Sequence, residues 1–190
     1  MKLPDIYGIT AATLCPDLDD FLHRLERALT EGGLRLLQVR DKSLADDERY
    51  RLASECTRLC HRHQARLLIN DDEELARQVG ADGIHLSSAN LESAKLHYSW
   101  PLIGASVHSL DQAQLACRRL NPSLLVLSPV KKTLTHVNAR LLGWDRFAKI
   151  TAAVAPCPVY ALGGLCDADL PQASQCGAVG IAAMRSPWNL

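Results

Sequence analysis

The alternation of short apolar segments with helix-like segments constrains the fold of this chain more than any other feature. Eight segments are typical of buried strands: "DIYGIT", "LRLLQVR", "ARLLIN", "GIHL", "LIGASV", "SLLVLSPV", "PVYALGG" and "AVGIAAM". Amphipathic stretches such as "DLDDFLHRLERALTEGG" lie between them. Strands joined by helices pair in parallel. The alternation therefore predicts an α/β fold, a (β/α)₈ barrel, with an open doubly wound sheet as the alternative.

The segment after the last strand is short. Only "RSPWNL" follows it, so we expect a single barrel domain over residues 1–190 with a short or missing final helix. A barrel without that helix exposes apolar surface near strands eight and one. We expect Trp188 and Leu190 to cover part of this surface. A second copy in a homodimer, or another domain, would cover the rest.

Charge and cysteine content exclude several classes of function. Lys and Arg total 21, as do Asp and Glu, so the chain has no excess of positive charge that would bind nucleic acid or an anionic membrane. The seven cysteines form no Cys-x-x-Cys pair, which indicates unpaired thiols in a reducing cytoplasm. No apolar run approaches the ~20 residues that span a bilayer. We expect a soluble cytoplasmic protein.

The stretch "LLQVRDKSL" places polar residues where a strand should be apolar. Gln38, Arg40 and Lys42 stand at every second position and so share one face. That face meets either water or an anion. In a barrel it would point into the mouth, where Arg and Lys recognise phosphate oxygens.

Other strand ends carry further candidates, each with two interpretations. Gly163-Gly164 is either a plain turn or a close approach to an oxyanion. Asn70-Asp71 is either a turn with a helix cap or, through Asp71, a Mg²⁺ ligand. His85 is a hydrogen-bonded barrel histidine or a ligand. Further polar candidates are Ser106, His108 and His136.

The ordered set of motifs resembles the thiamine-phosphate synthase superfamily, which includes the thiazole tautomerases. The matching segments are "YGIT", "QVRDK", "INDD", "GADGIHL", "IGASVHS", "VLSPV…T" and "ALGGL…GAVGIA", and they span nearly the whole chain. The resemblance implies a barrel that joins a hydroxymethylpyrimidine diphosphate to a thiazole phosphate and releases pyrophosphate.

The resemblance also implies residue roles. The diphosphate would be held by Mg²⁺ and by Gln38, Arg40, Lys42 and Asn70, with Asp71 as a Mg²⁺ ligand. Thiazole phosphate would lie near Thr133, Thr135, Gly163 and Gly164. Ser106 matches a serine near the reacting groups. Lys42 and His108 are further candidates for catalysis; in a tautomerase-like enzyme, His108 or His136 would be the acid/base residue.

Three positions depart from the family pattern. Asn90 stands where a second Mg²⁺ carboxylate is usual, His136 where a lysine is usual, and Arg185 where a serine is usual. Two alternatives therefore stay open: a tautomerase-like enzyme acting on thiazole phosphate, and a catalytically degenerate module that binds a phosphorylated ligand. The segment "LLGWDRF" also resembles the sequences of a family branch in which the barrel is fused to a Nudix-type hydrolase domain.

Overall fold

Eight parallel strands close into a barrel in strict sequence order. The computed structural model describes residues 2–41, 43–93, 95–132 and 141–189. Each strand pairs with the next, and the eighth pairs with the first through Ile6 and Ile181. The strands are β1 (Ile6–Ile9), β2 (Leu36–Val39), β3 (Arg66–Asn70), β4 (Gly83–Leu86), β5 (Leu102–Val107), β6 (Leu124–Leu127), β7 (Val159–Leu162) and β8 (Gly180–Ala183). The predicted barrel is confirmed, and the open sheet is excluded.

Helices cover the outside of the barrel. In the described residues they are α1 (Leu18–Thr30), α2 (Asp46–Arg62), α3 (Glu73–Val79), α4 (Leu110–Leu120), α5 (Gly143–Ala153) and α6 (Leu170–Gln175). Helix α1 begins where Asp17 accepts a hydrogen bond from the Asp20 N–H at 2.8 Å. Phe21, Leu25 and Leu29 on one side of α1 are buried against the strands, because apolar residues at this spacing share a helix face.

The segment after β8 is a 3-10 turn, Ser186–Trp188, within the described residues. The Trp188 side chain is buried, and its ring contacts Phe21 of α1 at a centroid distance of 5.3 Å. A large aromatic side chain thus takes part of the space that an eighth helix would fill. The predicted homodimer or fused Nudix-type domain stays a prediction.

The barrel interior has an apolar lower part and a polar upper part. Leu36, Leu102 and Leu124 begin their strands and belong to one buried cluster inside the barrel. The interior positions nearer the carboxyl ends of the strands include Gln38, His85 and Ser106. No helix in the part of the chain described is long and apolar enough to cross a membrane.

Candidate functional site

The carboxyl ends of the strands bring most of the predicted site residues to one end of the barrel. Gln38 lies within β2, Asn70 ends β3 and Ser106 lies within β5. Arg40, Asp71, Asn90, His108, Gly163, Gly164 and Arg185 lie in the segments that follow strands. The predicted site residues Lys42, Thr133, Thr135 and His136 lie outside the described residues, as does Leu190.

Four interior side chains form one hydrogen-bonded chain, here called the interior network: Gln38, Tyr7, His85 and Ser106. The Gln38 side-chain amide donates to the Tyr7 hydroxyl oxygen at 3.2 Å. The same hydroxyl lies 3.1 Å from Nδ1 of His85. Nε2 of His85 lies 2.9 Å from Oγ of Ser106. Of the two interpretations of His85, the structure supports a hydrogen-bonded barrel histidine.

Burial keeps the interior network uncharged. Tyr7 and His85 are completely buried. Loss of hydration raises the pKa of the Tyr7 hydroxyl well above its usual value. The same effect lowers the pKa of His85 to about 3, against a smaller opposing influence from Asp71. His85 is therefore neutral at physiological pH, and Gln38, Tyr7 and Ser106 add no charge.

Asp71 lies in a strained turn after β3, with φ +59°. One of its carboxylate oxygens accepts a hydrogen bond from the Ser87 N–H at 2.7 Å. The helix-cap interpretation of Asn70-Asp71 is wrong: the cap of α3 is the next residue, Asp72, which accepts from the Leu75 N–H at 2.9 Å. The left-handed turn at Asp71 shifts the capping position by one residue and leaves the Asp71 carboxylate at the strand ends.

Asn70 presents a buried oxygen without a partner. Its side-chain N–H donates to the carbonyl oxygen of His85 at 2.9 Å, which fixes the orientation of the carboxamide. Its Oδ1 atom is buried and accepts no hydrogen bond within the described part of the chain. Gln38 Oε1 is in the same situation. Buried polar atoms are normally paired, so both oxygens are candidates for ligand contacts.

A cavity of about 430 Å³ opens beside these residues, at the ends of β2 and β3 and between α2 and α3. Its polar lining comprises Arg40, Arg49 and Asn70 together with four carboxylates, Asp41, Asp71, Asp72 and Glu73. The Arg40 guanidinium forms no hydrogen bond or ion pair with the described residues. Because carboxylates outnumber guanidinium groups, this lining suits an anionic ligand that arrives with a bound cation.

Sequence reasoning missed Asp41, which holds the segment carrying Arg40. Asp41 is only 6% exposed, and its carboxylate accepts a hydrogen bond from the Thr10 hydroxyl. The Thr10 oxygen in turn accepts from the Arg40 N–H at 2.9 Å. A charged residue between Arg40 and Lys42 was the available sequence signal. The Asp41 side chain, however, points to the opposite face of the strand and so does not join the row of polar side chains.

Gly163 and Gly164 are required by the close approach of another loop. A Cβ atom on Gly163 would lie 2.9 Å from Pro129, and one on Gly164 would lie 2.2 Å from the carbonyl oxygen of Lys132. Both glycines have positive φ, +111° and +62°. The Lys131 ammonium group also donates a hydrogen bond to the Asp169 carboxylate at 2.5 Å, and this contact joins the loops after β6 and β7. Close packing thus explains the glycine pair, and an oxyanion contact stays a prediction.

The remaining candidates lie at the rim. Nδ1 of His108 donates to the carbonyl oxygen of Ser128 at 2.9 Å, so Nε2 is left unprotonated in the neutral ring. The Asn90 and Arg185 side chains form no hydrogen bond with the described residues. No group of three or more His, Cys, Asp or Glu side chains that could hold a metal occurs in residues 2–41, 43–93, 95–132 and 141–189.

Comparison with known proteins identifies the family. The model of the family described as thiamine monophosphate synthase matches residues 6–186. The chain belongs to the thiamine monophosphate synthase family. This membership assigns it to thiamine biosynthesis and to the transferases, and it confirms the resemblance found in the motifs.

Individual members of the thiamine monophosphate synthase family agree. The thiamine-phosphate synthase of Streptococcus suis is 34% identical, over 96% of this chain and 81% of that protein. The thiamine-phosphate synthase of Saccharophagus degradans is also 34% identical, over 95% of this chain and 84% of that protein. The structure of thiamine phosphate pyrophosphorylase from Pyrococcus furiosus has a TM-score of 0.75 and 28% identity, and the match covers 95% of this chain and 85% of that one.

Proposed function

We propose that the protein is a thiamine-phosphate synthase that joins a hydroxymethylpyrimidine diphosphate to a thiazole phosphate. The observation that carries the proposal is that an uncharged polar interior, the interior network, adjoins a rim that holds Arg40, Asn70 and Asp71: the Asn70 side-chain amide and the Asp71 backbone N–H both donate to the carbonyl oxygen of His85. The interior suits a neutral heterocycle and the rim suits its diphosphate. One molecule with both parts would occupy both regions.

The reaction breaks the bond between the methylene carbon of the pyrimidine and the diphosphate. The electron pair leaves with pyrophosphate, and the thiazole then bonds to the electron-deficient carbon. Arg40 at the rim would stabilise the negative charge that grows on the leaving group. Neutral His85 matters equally, because an imidazolium ion in the interior would repel the positive charge that develops on the pyrimidine.

The rim residues fit a Mg²⁺ ion bound together with a diphosphate. Mg²⁺ prefers oxygen ligands and commonly takes one or two carboxylates plus substrate phosphates. Asp71 offers one carboxylate, and the unpartnered Asn70 Oδ1 and the exposed Asn90 amide offer neutral oxygens. Asp71 would hold the ion with help from Asn70 or Asn90. When bound, Mg²⁺ would neutralise charge on the leaving pyrophosphate.

We place the thiazole phosphate on the opposite side of the barrel mouth. Gly163-Gly164 and Arg185 follow β7 and β8, the strands whose loops form phosphate sites in many barrels of this kind. The Arg185 guanidinium, which no described residue pairs, would contact the phosphate. Thr133, Thr135 and His136 are proposed for the same phosphate on the family resemblance alone.

The test is an assay of the purified chain with the pyrimidine diphosphate, the thiazole phosphate and Mg²⁺. Thiamine phosphate is detected after oxidation to its fluorescent product, and pyrophosphate release is measured in parallel. Equal amounts of the two products, and none when either substrate is omitted, would support the proposal. A folded barrel that binds thiazole phosphate but forms no thiamine phosphate would refute it.

A further inference from the structure

The interior network contains two residues, Tyr7 and His85, that the proposed reaction does not use directly. We propose that Tyr7 and His85 are positioning residues that fix the Ser106 hydroxyl as a hydrogen-bond donor to the bound substrate. The inference rests on the proposed function for the nature of that substrate. The direction of the hydrogen bonds themselves rests on the geometry of the barrel interior.

The direction follows from the Tyr7 hydroxyl. Its oxygen already accepts from the Gln38 amide, so its own proton needs an acceptor. In the described residues the other polar contact of this hydroxyl is Nδ1 of His85, at 3.1 Å. Nδ1 must therefore be unprotonated. A neutral imidazole then carries its proton on Nε2, which donates to Ser106 Oγ at 2.9 Å.

The reverse direction leaves a second buried donor unpaired. If Nδ1 carried the proton, the buried Tyr7 O–H would lack an acceptor among the described residues. Turning the Gln38 amide around would supply that acceptor, but it would leave both N–H groups of a buried carboxamide without partners. The first arrangement leaves the acceptor Oε1 and one N–H of Gln38 without a partner in the described residues. It is favoured because an unpaired buried acceptor is less unfavourable than a second unpaired buried N–H.

The consequence for Ser106 is specific. Because Oγ of Ser106 accepts a hydrogen bond from the Nε2–H of His85, its own proton is free to point at a ligand. The interior thus offers a ligand the Ser106 O–H as a donor, together with the unpaired acceptor and N–H of Gln38. His85 cannot remove the Ser106 proton, since its facing nitrogen is already protonated, and Ser106 is not activated as a nucleophile.

The first test reads the protonation of His85 without any turnover. Long-range ¹H–¹⁵N NMR of the full chain, labelled at its seven histidines, separates protonated from unprotonated ring nitrogens. His85→Gln identifies the signal. We expect protonated Nε2 and unprotonated Nδ1. A protonated Nδ1 would overturn the proposal, whether or not the chain makes thiamine phosphate.

The second test uses kinetics. Ser106→Ala should lower kcat by about 10²-fold, the loss typical of one transition-state donor. His85→Asn, too short to reach Ser106, should approach that loss, whereas His85→Gln, whose amide N–H can take the place of Nε2–H, should recover about tenfold of it. Equal kcat values in the two His85 variants would contradict a positioning role.

Tyr7 has a matched control in the same interior. Tyr160 is also buried, contacts the Tyr7 ring at 5.5 Å, and bonds through its hydroxyl to Pro4 rather than to the interior network. Tyr7→Phe should lower kcat about tenfold through a misoriented His85. Tyr160→Phe, which removes the same group, should leave kcat unchanged. A similar kcat in both variants would show that Tyr7 only fills space.

Discussion

Trp188 donates its indole N–H to the carbonyl oxygen of Ile9, 3.0 Å away, although 179 positions separate the two residues in sequence. The bond joins the turn after β8 to the end of β1, at the seam where the barrel closes. The Trp188 ring is 1% exposed and also lies against Gly8, where a Cβ atom would come within 3.2 Å of it. One side chain therefore ties together the first and last strands.

Trp188→Ala should lower the free energy of unfolding by about 3–5 kcal/mol, because it removes a fully buried aromatic and leaves a cavity. Trp188→Phe should cost less but still leave the Ile9 carbonyl unpaired. Urea unfolding measures both. Trp144→Phe is the control, since Trp144 is only partly buried. If Trp188→Phe were no more destabilising than Trp144→Phe, the seam bond would have no energetic importance.

Asp71→Asn should reduce synthase activity by at least about 10²-fold, because the amide keeps the shape of the side chain but not the charge that would hold Mg²⁺. The remaining activity should need more Mg²⁺. Asp19→Asn, which removes an exposed carboxylate from α1, is the control and should leave kcat and the Mg²⁺ dependence unchanged. Full activity in Asp71→Asn at ordinary Mg²⁺ would remove Asp71 from the proposed metal site.

Arg40→Ala should lower kcat/KM for the pyrimidine diphosphate by about 10- to 10²-fold, the value of one charge-assisted hydrogen bond or slightly more. Arg40→Lys should recover part of this loss, since a lysine keeps the charge but not the forked geometry. The KM for thiazole phosphate should not change. Arg58→Ala, on the outer face of α2, serves as the control. An equal effect on both substrates would place Arg40 elsewhere in the mechanism.

Gly164→Ala should be destabilising and should lower activity, because its Cβ atom would collide with the Lys132 carbonyl oxygen. Gly33 offers a close control: its φ is +66° against +62° at Gly164, and a Cβ atom there would have nothing within 4 Å. Gly33→Ala should cost only the left-handed backbone penalty of about 1–2 kcal/mol. Unfolding and turnover of both variants separate the two effects. Similar losses in both would show that the loop approach is easily relaxed.

Acid should destabilise the protein through His85. Its pKa is about 3 in the folded chain and about 6.5 when unfolded, so only the unfolded chain binds the proton between these values. Stability is therefore lost as pH falls below about 6.5. Between pH 7 and pH 5, the wild-type chain should lose about 2 kcal/mol more than His85→Gln in urea unfolding. Parallel losses in the two proteins would show that His85 is protonated in the folded state.

Strand β2 shows how far the sequence could predict the site. The two-residue period placed Gln38 and Arg40 on one face, and that face is the barrel interior and its mouth. A hydrogen-bonded His85 was one of the two predicted interpretations, but the partners of Tyr7 and His85 could not be predicted, because "YGIT" and "GIHL" are typical of ordinary core strands. Their hydrogen bond joins residues 78 positions apart. Only closure of the barrel brings them together.

The sequence alone did not identify the helix cap where two neighbouring residues are of the same type. Asp71 and Asp72 are chemically identical caps for α3, and only the backbone turn at Asp71 decides between them. The role of Asp41 was missed because its partner, Thr10, follows the preceding strand and is brought beside Asp41 only by the fold. The prediction that Trp188 covers part of the apolar surface near strands eight and one is confirmed. No other large aromatic side chain follows β8 in the sequence.

In the part of the chain that the structure describes, apolar side chains fill the lower half of the barrel, so a ligand reaches the interior from the carboxyl ends of the strands. Leu36, Leu102 and Leu124 occupy the space below the interior network, and the Tyr160 hydroxyl is bonded to Pro4 at 2.6 Å. A molecule that reaches Ser106 from that side must first pass the rim formed by the segments that follow the strands. When two molecules bind together, the deeper one enters first, and the shallower one must leave before it. The architecture of the barrel thereby imposes an order of arrival and departure on the ligands.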